Sequence, residues 1–411
     1  MAHAGTPRLR ILVHHRIASF DGQAVHLQEL TDAWRRLGHQ VVVVGPPILA
    51  RSERARGVAA VAAAKRVLPR VAFEIAGVAH AVLSAGRLLA VCSMRRPDVL
   101  YERLSLFQIA GWLCRRLIGC RLAVEINAPV AEEQRDHGGL VLQSLAGWCE
   151  RRTLAGADLL LPVSRLLADR LVALGVPRGR MAVVPNGADP ARFGALADPT
   201  AVRRRLGLDG SLVVGFLGFP RAWHGLTTLA QALVRAGDGA RLLVIGDGPA
   251  VPALRRSLDE VGCGERLIVT GALRRDEVPA HLAALDIAVL PDLPAYASPL
   301  KLFEYMAAGR AIVAPRRANI QEIVDDGRTA LLFDPGRPDE MAACLARLAG
   351  APDLRRRLGD AARRDLIARG FTWSRNAERT AALFAELGSR AEPSAAFDDS
   401  RFPATRPDSP A

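Results

Sequence analysis

Apolar runs of four to six residues, each too short for a helix, alternate with stretches of helical period through most of this 411-residue chain. A buried run, a turn-rich loop and an amphipathic stretch in succession make a βαβ unit, whose strands join in a parallel sheet with helices on both faces. The alternation runs through twice. In the first series Arg10–His14, His39–Val44, Asp98–Tyr101, Leu122–Ile126, Leu159–Val163 and Met181–Val184 read as strands. Helices are expected over about Gln23–Leu37, Leu104–Leu117 and Val141–Leu154, with another capped by Ser164 and reaching Leu174. A linker of Ala, Asp and Pro near residues 195–200 precedes the second series, with strands Leu212–Leu217, Arg241–Ile245, Leu267–Thr270, Ile287–Leu290, Ala311–Ala314 and Ala330–Phe333. Its helices are expected at Leu226–Ala236, after Gly248 to Val261, at Val278–Leu285 and at Pro338–Leu348.

Two such series predict an α/β protein of two Rossmann-like, doubly wound parallel-sheet domains facing a central cleft. The expected bounds are 1–195 for the first domain and 200–374 for the second, with a final helix at 375–388 and a Ser/Pro/Asp-rich disordered tail at 389–411. G-x-G-x-x-G is missing, which argues against a dinucleotide-dependent dehydrogenase.

The most informative stretch is Tyr296–Gly309, Y-A-S-P-L-K-L-F-E-Y-M-A-A-G. It follows the apolar run Ile287–Leu290 and a proline-punctuated loop. Ser298 reads as the N-cap of a helix with Pro299 at its first position and Leu300 next. The unpaired amides and positive dipole of such a start suit an anion, and Lys301 adds a cation in the first turn. Glu304, three residues on, falls on the same helix face and can accept from hydroxyls beside that anion. Phosphate with neighbouring hydroxyls describes a nucleotide; a capped surface helix with an ordinary Lys–Glu pair fits the same residues.

Other candidates cluster at strand ends. The loop Gly218–Gly225 carries Arg221, Trp223 and His224, and is expected on the sheet edge that also holds the Ser298 helix start, so that Arg221 and Lys301 grip one diphosphate from two sides. Gly246-Asp247-Gly248-Pro249 offers glycines that let a ligand approach the backbone. In the first series Asp21-Gly22 is the permissive point after the first strand, and Glu125-Ile126-Asn127-Ala128-Pro129 puts polar groups at a strand's C-terminal end, where Asn127 either faces a ligand or caps its own loop.

The formal charge of +13 is concentrated in residues 1–190, which hold 25 basic against 15 acidic side chains. An anionic partner, such as a diphosphate carrier, an anionic membrane surface or nucleic acid, suits that excess, as does solubility alone. Lys65 and Lys301 are the only lysines in an arginine-rich chain, so a lysine at the phosphate-facing position is chemically selective. Six cysteines without a C-x-x-C or framework spacing read as reduced thiols of a cytoplasmic protein and supply no metal site. The apolar stretch Val71–Gly86, interrupted by Glu74 and His80 and flanked by basic residues, is read as a pair of amphipathic helices on the domain core, or as a segment lying on an anionic membrane surface, and not as a membrane span.

Taken together, P-N-G-A-D at 185–189, the strand-loop-helix at 214–225, V-I-G-D-G-P at 244–249, V-T-G at 269–271 and F-E-Y-M-A-A-G at 303–309 are specific in order and spacing. Over about Arg10–Leu387 the chain resembles the family-4 glycosyltransferases of GT-B architecture, and W-H-G with E-I-N-A-P looks like bacterial envelope and exopolysaccharide transferases. The resemblance implies transfer of a sugar from a nucleotide diphosphate sugar to a lipid-linked or polysaccharide acceptor, with retention of configuration and without a further cofactor. It also implies a second domain that binds the donor, a first domain that binds the acceptor, and a last helix, Arg375–Leu387, that returns to the first domain. Arg221, Lys301, Glu304 and Asn127 become the candidate catalytic residues. Gly22, Gly218, His224, Gly246, Gly248, Ser298, Pro299 and Leu300 become the donor-binding set.

Three positions depart from the family's pattern. Its first motif carboxylate falls at Tyr296, its R-x-x-x-x-K falls at Phe219 and His224, and the histidine at the end of its inner strand falls at Asn127. Two other readings stay open: a GT-B nucleotide-sugar epimerase or phosphorylase, and a non-enzymatic anion-binding protein. No helix-turn-helix, zinc or RNA-stacking pattern supports nucleic acid as the partner.

Overall fold

The computed structural model describes residues 7–17, 22–47, 69–194, 198–235 and 239–389. Asp21, Lys65 and all but the first residue of the expected tail lie outside them. The chain forms two compact units, one made of the described residues up to Pro185 and from Ala377 on, the other spanning Asn186–Asn376.

The first unit is a five-stranded parallel sheet with strands β1 (Arg10–His14), β2 (Gln40–Val44), β3 (Val99–Arg103), β4 (Leu122–Ile126) and β5 (Leu159–Pro162), in the order β2-β1-β3-β4-β5. Ile11 stands opposite both Val41 and Val99, which sets the register. Every residue of β3 and β4 is buried, the pattern of strands covered on both faces. Glu102, Arg103 and Glu125 are therefore buried with them and must find partners. The last helix, Trp373–Ser389, supplies Thr380, which accepts from Trp34 Nε1 at 2.9 Å, and Phe384, which packs on Trp34 and Tyr101.

The second unit holds β6 (Leu212–Leu217), β7 (Ala240–Ile245), β8 (Leu267–Val269), β9 (Ile287–Val289), β10 (Ala311–Pro315) and β11 (Leu331–Phe333) in the order β11-β10-β9-β6-β7-β8, all parallel. Counted along the unit this is the doubly wound Rossmann order, with its reversal between β6 and β9. Those two strands meet with Val214 opposite Ile287 and Gly215 opposite Ala288. A Cβ on Gly215 would lie 2.2 Å from Leu285 Cδ2, so the residue is small because the sheet and its covering chain touch there. Chains that leave adjacent strands in opposite directions open a crevice beyond the strand ends, where ligands bind.

Four expectations are corrected. Met181–Val184 is not a strand but an extended segment joined to β5 by a single bridge, Leu160 to Met181. Ala182 N donates to Leu160 O at 2.9 Å and Val184 N to Pro162 O at 3.0 Å, but Pro162 has no N–H to return, so the ladder stops. The helix expected from Leu104 begins at Ala110, because Phe107 adopts a left-handed φ of 59° that no helix residue tolerates.

The region of Val71–Gly86 is one continuous helix, Arg70–Arg95, not a pair. Glu74, expected to interrupt it, instead accepts from Val141 N at 2.7 Å and Leu142 N at 2.6 Å. By length and composition alone this helix could cross a membrane. Ala81, Ala85, Leu88 and Cys92 nevertheless form a buried stripe at helical spacing. Lastly, a helix at Pro352–Ala368, absent from the expected set, lies before the final one.

Candidate active site

The helix that was expected to start at a Ser298 cap runs from Leu300 to Ala307, with Pro299 as its N-cap in extended geometry and no side chain capping it. Ser298 is turned to another task. Its Oγ accepts from Asn186 N at 3.1 Å, and its carbonyl accepts from Asn186 Nδ2 at 2.6 Å. Both residues are buried. Ser298 thus pins the P-N-G-A-D turn to the loop after β9, and the helix's first amides are left to other acceptors. Ser298→Ala should leave a buried Asn186 amide unmatched and cost about 1–3 kcal/mol in stability, read as a lowered denaturation midpoint.

Lys301, in the first turn, is drawn back over the end of β6. Its Nζ lies 4.2 Å from the Phe216 ring centroid and 3.2 Å from His224 Nε2. A Cβ on Gly218 would come 3.5 Å from Lys301 Cε, and Gly218 itself has a left-handed φ of 123°. Burial removes the ammonium from water and pulls Lys301 down to about 7, although Glu304 works in the opposite direction. His224 is pushed down to about 2 by burial first and then by Lys301 and Arg221, so its ring is neutral at any physiological pH.

His224 closes a short turn, Ala222–His224, in which its Nδ1 accepts from Arg221 N at 3.0 Å. The Arg221 guanidinium lies between two aromatic faces, 5.2 Å from Phe219 and 5.0 Å from Trp223. Stacking holds this cation beside the loop, and the side chain that meets Lys301 is His224. Tyr305 anchors the same corner from below: its OH accepts from Leu217 N at 2.9 Å and donates to Val289 O at 3.2 Å, tying together the ends of β6 and β9.

Glu304 is buried and accepts from Arg275 Nη1 at 2.8 Å; Arg275 was not anticipated, although it lies just beyond the V-T-G landmark. Gly246 and Gly248 stand on the same sheet edge, where the neighbouring loop packs closely against both. A Cβ on Gly246 would fall 2.1 Å from Gly218 O, and one on Gly248 would fall 2.5 Å from Pro220 O. The backbone approaching these glycines is that of the neighbouring loop, so they make room for protein packing.

Of the first-unit candidates, Gly22 opens the helix Gly22–Arg36, and Asn127 follows β4, where its Nδ2 donates to Glu125. Glu125 is the hub that sequence reasoning missed. Its carboxylate also accepts from Arg103 Nη1 at 2.5 Å and from the Tyr101 hydroxyl, and lies 2.6 Å from His26 Nε2. A second buried pair, His14 Nδ1 with Glu102 at 2.7 Å, lies at the ends of β1 and β3. The signal was a run of polar residues at positions where both sheet faces are covered. Among the described residues no group of His, Cys, Asp and Glu could hold a metal ion.

Residues 21–187 match the family model for the glycosyl transferase 4-like domain, and residues 211–350 match that for glycosyl transferases group 1. The chain is a glycosyltransferase. This glycosyltransferase is 28% identical over 351 residues to a 2-deoxystreptamine glucosyltransferase of Streptomyces kanamyceticus, covering 80% of this chain and 89% of that one. It is 27% identical over 378 residues to a GDP-mannose-dependent alpha-mannosyltransferase of Mycolicibacterium smegmatis, covering 89% and 94%. In fold it resembles Anabaena HepE solved with UDP-glucose, at a TM-score of 0.73 and 16% identity over 92% of this chain and 100% of that one. The architecture of two parallel-sheet Rossmann-like domains is that of the GT-B glycosyltransferases.

Proposed function

We propose that this glycosyltransferase moves a hexosyl unit from a nucleotide diphosphate sugar to a hydroxyl of a lipid-linked or polysaccharide acceptor, with retention of configuration. The observation that carries the donor side is the meeting of Lys301 Nζ and His224 Nε2, 3.2 Å apart, at the reversal of the second sheet and beside an uncapped helix start. Fixed donors and cations at that point would stabilise the charge that grows on a departing diphosphate. In this reading Glu304, steadied by Arg275, accepts from the ribose hydroxyls. Arg221 reinforces the phosphate grip, while Asn127, held by Glu125, addresses the acceptor side.

Retention without an enzyme nucleophile implies same-face attack, with a donor phosphate oxygen taking the proton from the acceptor hydroxyl as the sugar–phosphate bond breaks. Because protein cations would neutralise the leaving group, turnover is expected to persist in a chelator. A thermal-shift panel of UDP-, GDP- and other nucleoside diphosphate sugars, followed by transfer assays and anomeric NMR of the product, tests the reading. Epimerised sugar formed without acceptor, or an inverted product, would refute it.

The likeness to a 2-deoxystreptamine glucosyltransferase and to a GDP-mannose-dependent mannosyltransferase supports including 2-deoxystreptamine and glycan acceptors in the panel. We further assign a cytoplasmic location with peripheral contact to an anionic bilayer. The helix Arg70–Arg95 exposes Ile75, Val82, Leu83 and Met94 close to Arg87, Arg95 and Arg96. Sedimentation with phosphatidylglycerol vesicles, weakened by Leu83→Asp, is the expected result; equal sedimentation of wild type and variant would remove this assignment.

A further inference from the structure

The corner formed by Arg221, His224 and Lys301 contains a hydrogen-bond constraint with one solution. Arg221 N is a backbone amide and can only donate, and it points at His224 Nδ1 from 3.0 Å. Nδ1 must therefore carry the lone pair. A neutral imidazole has a single ring proton, which is then on Nε2, and Nε2 becomes a donor. Lys301 Nζ lies 3.2 Å from that Nε2. An ammonium has no lone pair to offer and would set donor against donor, whereas a neutral amine accepts the Nε2 proton.

We propose that Lys301 is held as a neutral amine by His224 until the donor arrives, and that donor binding takes one proton from solvent to make it the ammonium that grips the diphosphate. This rests on the donor reading above. The proton adds to the Nζ lone pair, the Nε2–H···Nζ bond is given up, and both Nζ–H and Nε2–H turn to phosphate oxygens. No covalent bond in the sugar changes in this step.

The surroundings fit. Lys301 is half-buried, and its ordinary value falls to about 7 through lost hydration. The charged groups on every element around it leave that balance in place. On its own helix Glu304 draws the proton on, but that carboxylate is bonded to Arg275. From the loop after β6, Arg221 opposes a charge on the His224 ring and lies stacked between Phe219 and Trp223. Asp292, next to Gly225 in the loop after β9, is taken up by Arg317 at 2.8 Å. Asp247 belongs to the loop after β7, whose Gly246 abuts Gly218. β6 contributes only the uncharged Phe216 ring. A diphosphate adds two negative charges at this point and reverses the balance.

The sign of the pH dependence follows. Below about 7 the free protein already carries the proton, and binding takes up almost none. Above it, each donor bound takes up about one proton, so affinity falls roughly tenfold per pH unit until the pH passes the bound lysine's value.

With only two lysines in the chain, 13C-labelling at the lysine ε carbon gives two titrating signals, and Lys301→Arg assigns them. The signal lost in Lys301→Arg should titrate near 7. His224→Gln provides a side-chain carbonyl that accepts from an ammonium, and should move the Lys301 midpoint upward. A Lys301 signal that titrates only above about 9.5 in the full-length protein overturns the proposal.

The second arm is calorimetry with UDP-glucose and GDP-mannose, whose diphosphodiesters do not titrate in this range, in two buffers of different protonation enthalpy. Uptake of about one proton at pH 8.5 and almost none at pH 6, both lost in Lys301→Arg, is the expected result. Binding without uptake overturns the coupling. If neither nucleotide sugar binds while Lys301 still titrates near 7, the coupling falls with the donor reading and only the free-state assignment survives.

Discussion

Lys301→Ala is expected to lower kcat/KM by about 10²–10³-fold, with most of the loss in kcat. On the proposed donor reading, charge on the leaving diphosphate is greatest at the transition state, so a half-buried cation contributes more there than in the Michaelis complex. The variant also separates function from folding. The ammonium is costly to bury, and the methylenes removed lie at the end of a sheet rather than in its core, so thermal stability should be unchanged or slightly higher. A large fall in melting temperature together with the fall in rate would mean that Lys301 is structural. Single-turnover kinetics with saturating donor read the two contributions apart.

The second large effect is on stability. Glu125→Ala should cost about 3–5 kcal/mol, because it leaves the Arg103 guanidinium buried without its carboxylate. That side chain is only 9% exposed, and Glu125 only 4%. The same substitution also unseats His26, Tyr101 and Asn127, which otherwise converge on one carboxylate. Glu125→Gln keeps an acceptor oxygen and a similar volume, and should lose less than half as much. Urea denaturation of both variants checks the order; equal midpoints would show that the cluster is not held by charge.

The strands were legible because an all-buried strand in a doubly wound sheet leaves an unmistakable run of apolar residues. β1 and β4 fall on the residues expected from such runs, Arg10–His14 and Leu122–Ile126. Met181–Val184 carries the same apolar signal, yet Pro162 on its neighbour denies it a ladder, a property of the partner strand and not of the segment. The helix Pro352–Ala368 escaped for the opposite reason. Its five arginines and three aspartates mask a thin buried stripe of Leu358, Ala362 and Leu366.

At the site, spacing was enough to place Lys301 and Glu304 on one helix and His224 on the adjoining loop. Their true partners, His224 for Lys301 and Arg275 for Glu304, depend on the order of strands across the sheet. Ser298 has the residue type of a cap, but Asn186, 112 positions away, competes for its oxygen and wins. Glu125 was noticed as a polar residue at a strand end. Nothing local says that four side chains, two from the neighbouring strand β3, one from a helix and one from a loop, will close around it.

The glycine contacts between the loops after β6 and β7 divide the second unit into parts that can change separately. Gly246 N donates to Thr270 Oγ1 at 3.1 Å, and the backbone of Gly218 leaves no space for a Cβ on Gly246, so these turns are locked to one another. Beyond Gly271, by contrast, the chain carries Arg274 and Asp276 out into solvent, where their side chains pair with each other. Insertions or exchanges in 272–277 should therefore be tolerated where a single methyl at Gly246 is not. For protein engineering this marks a graft point: segments from relatives can be transplanted there while the Lys301–His224 corner stays as it is, provided Arg275 is retained.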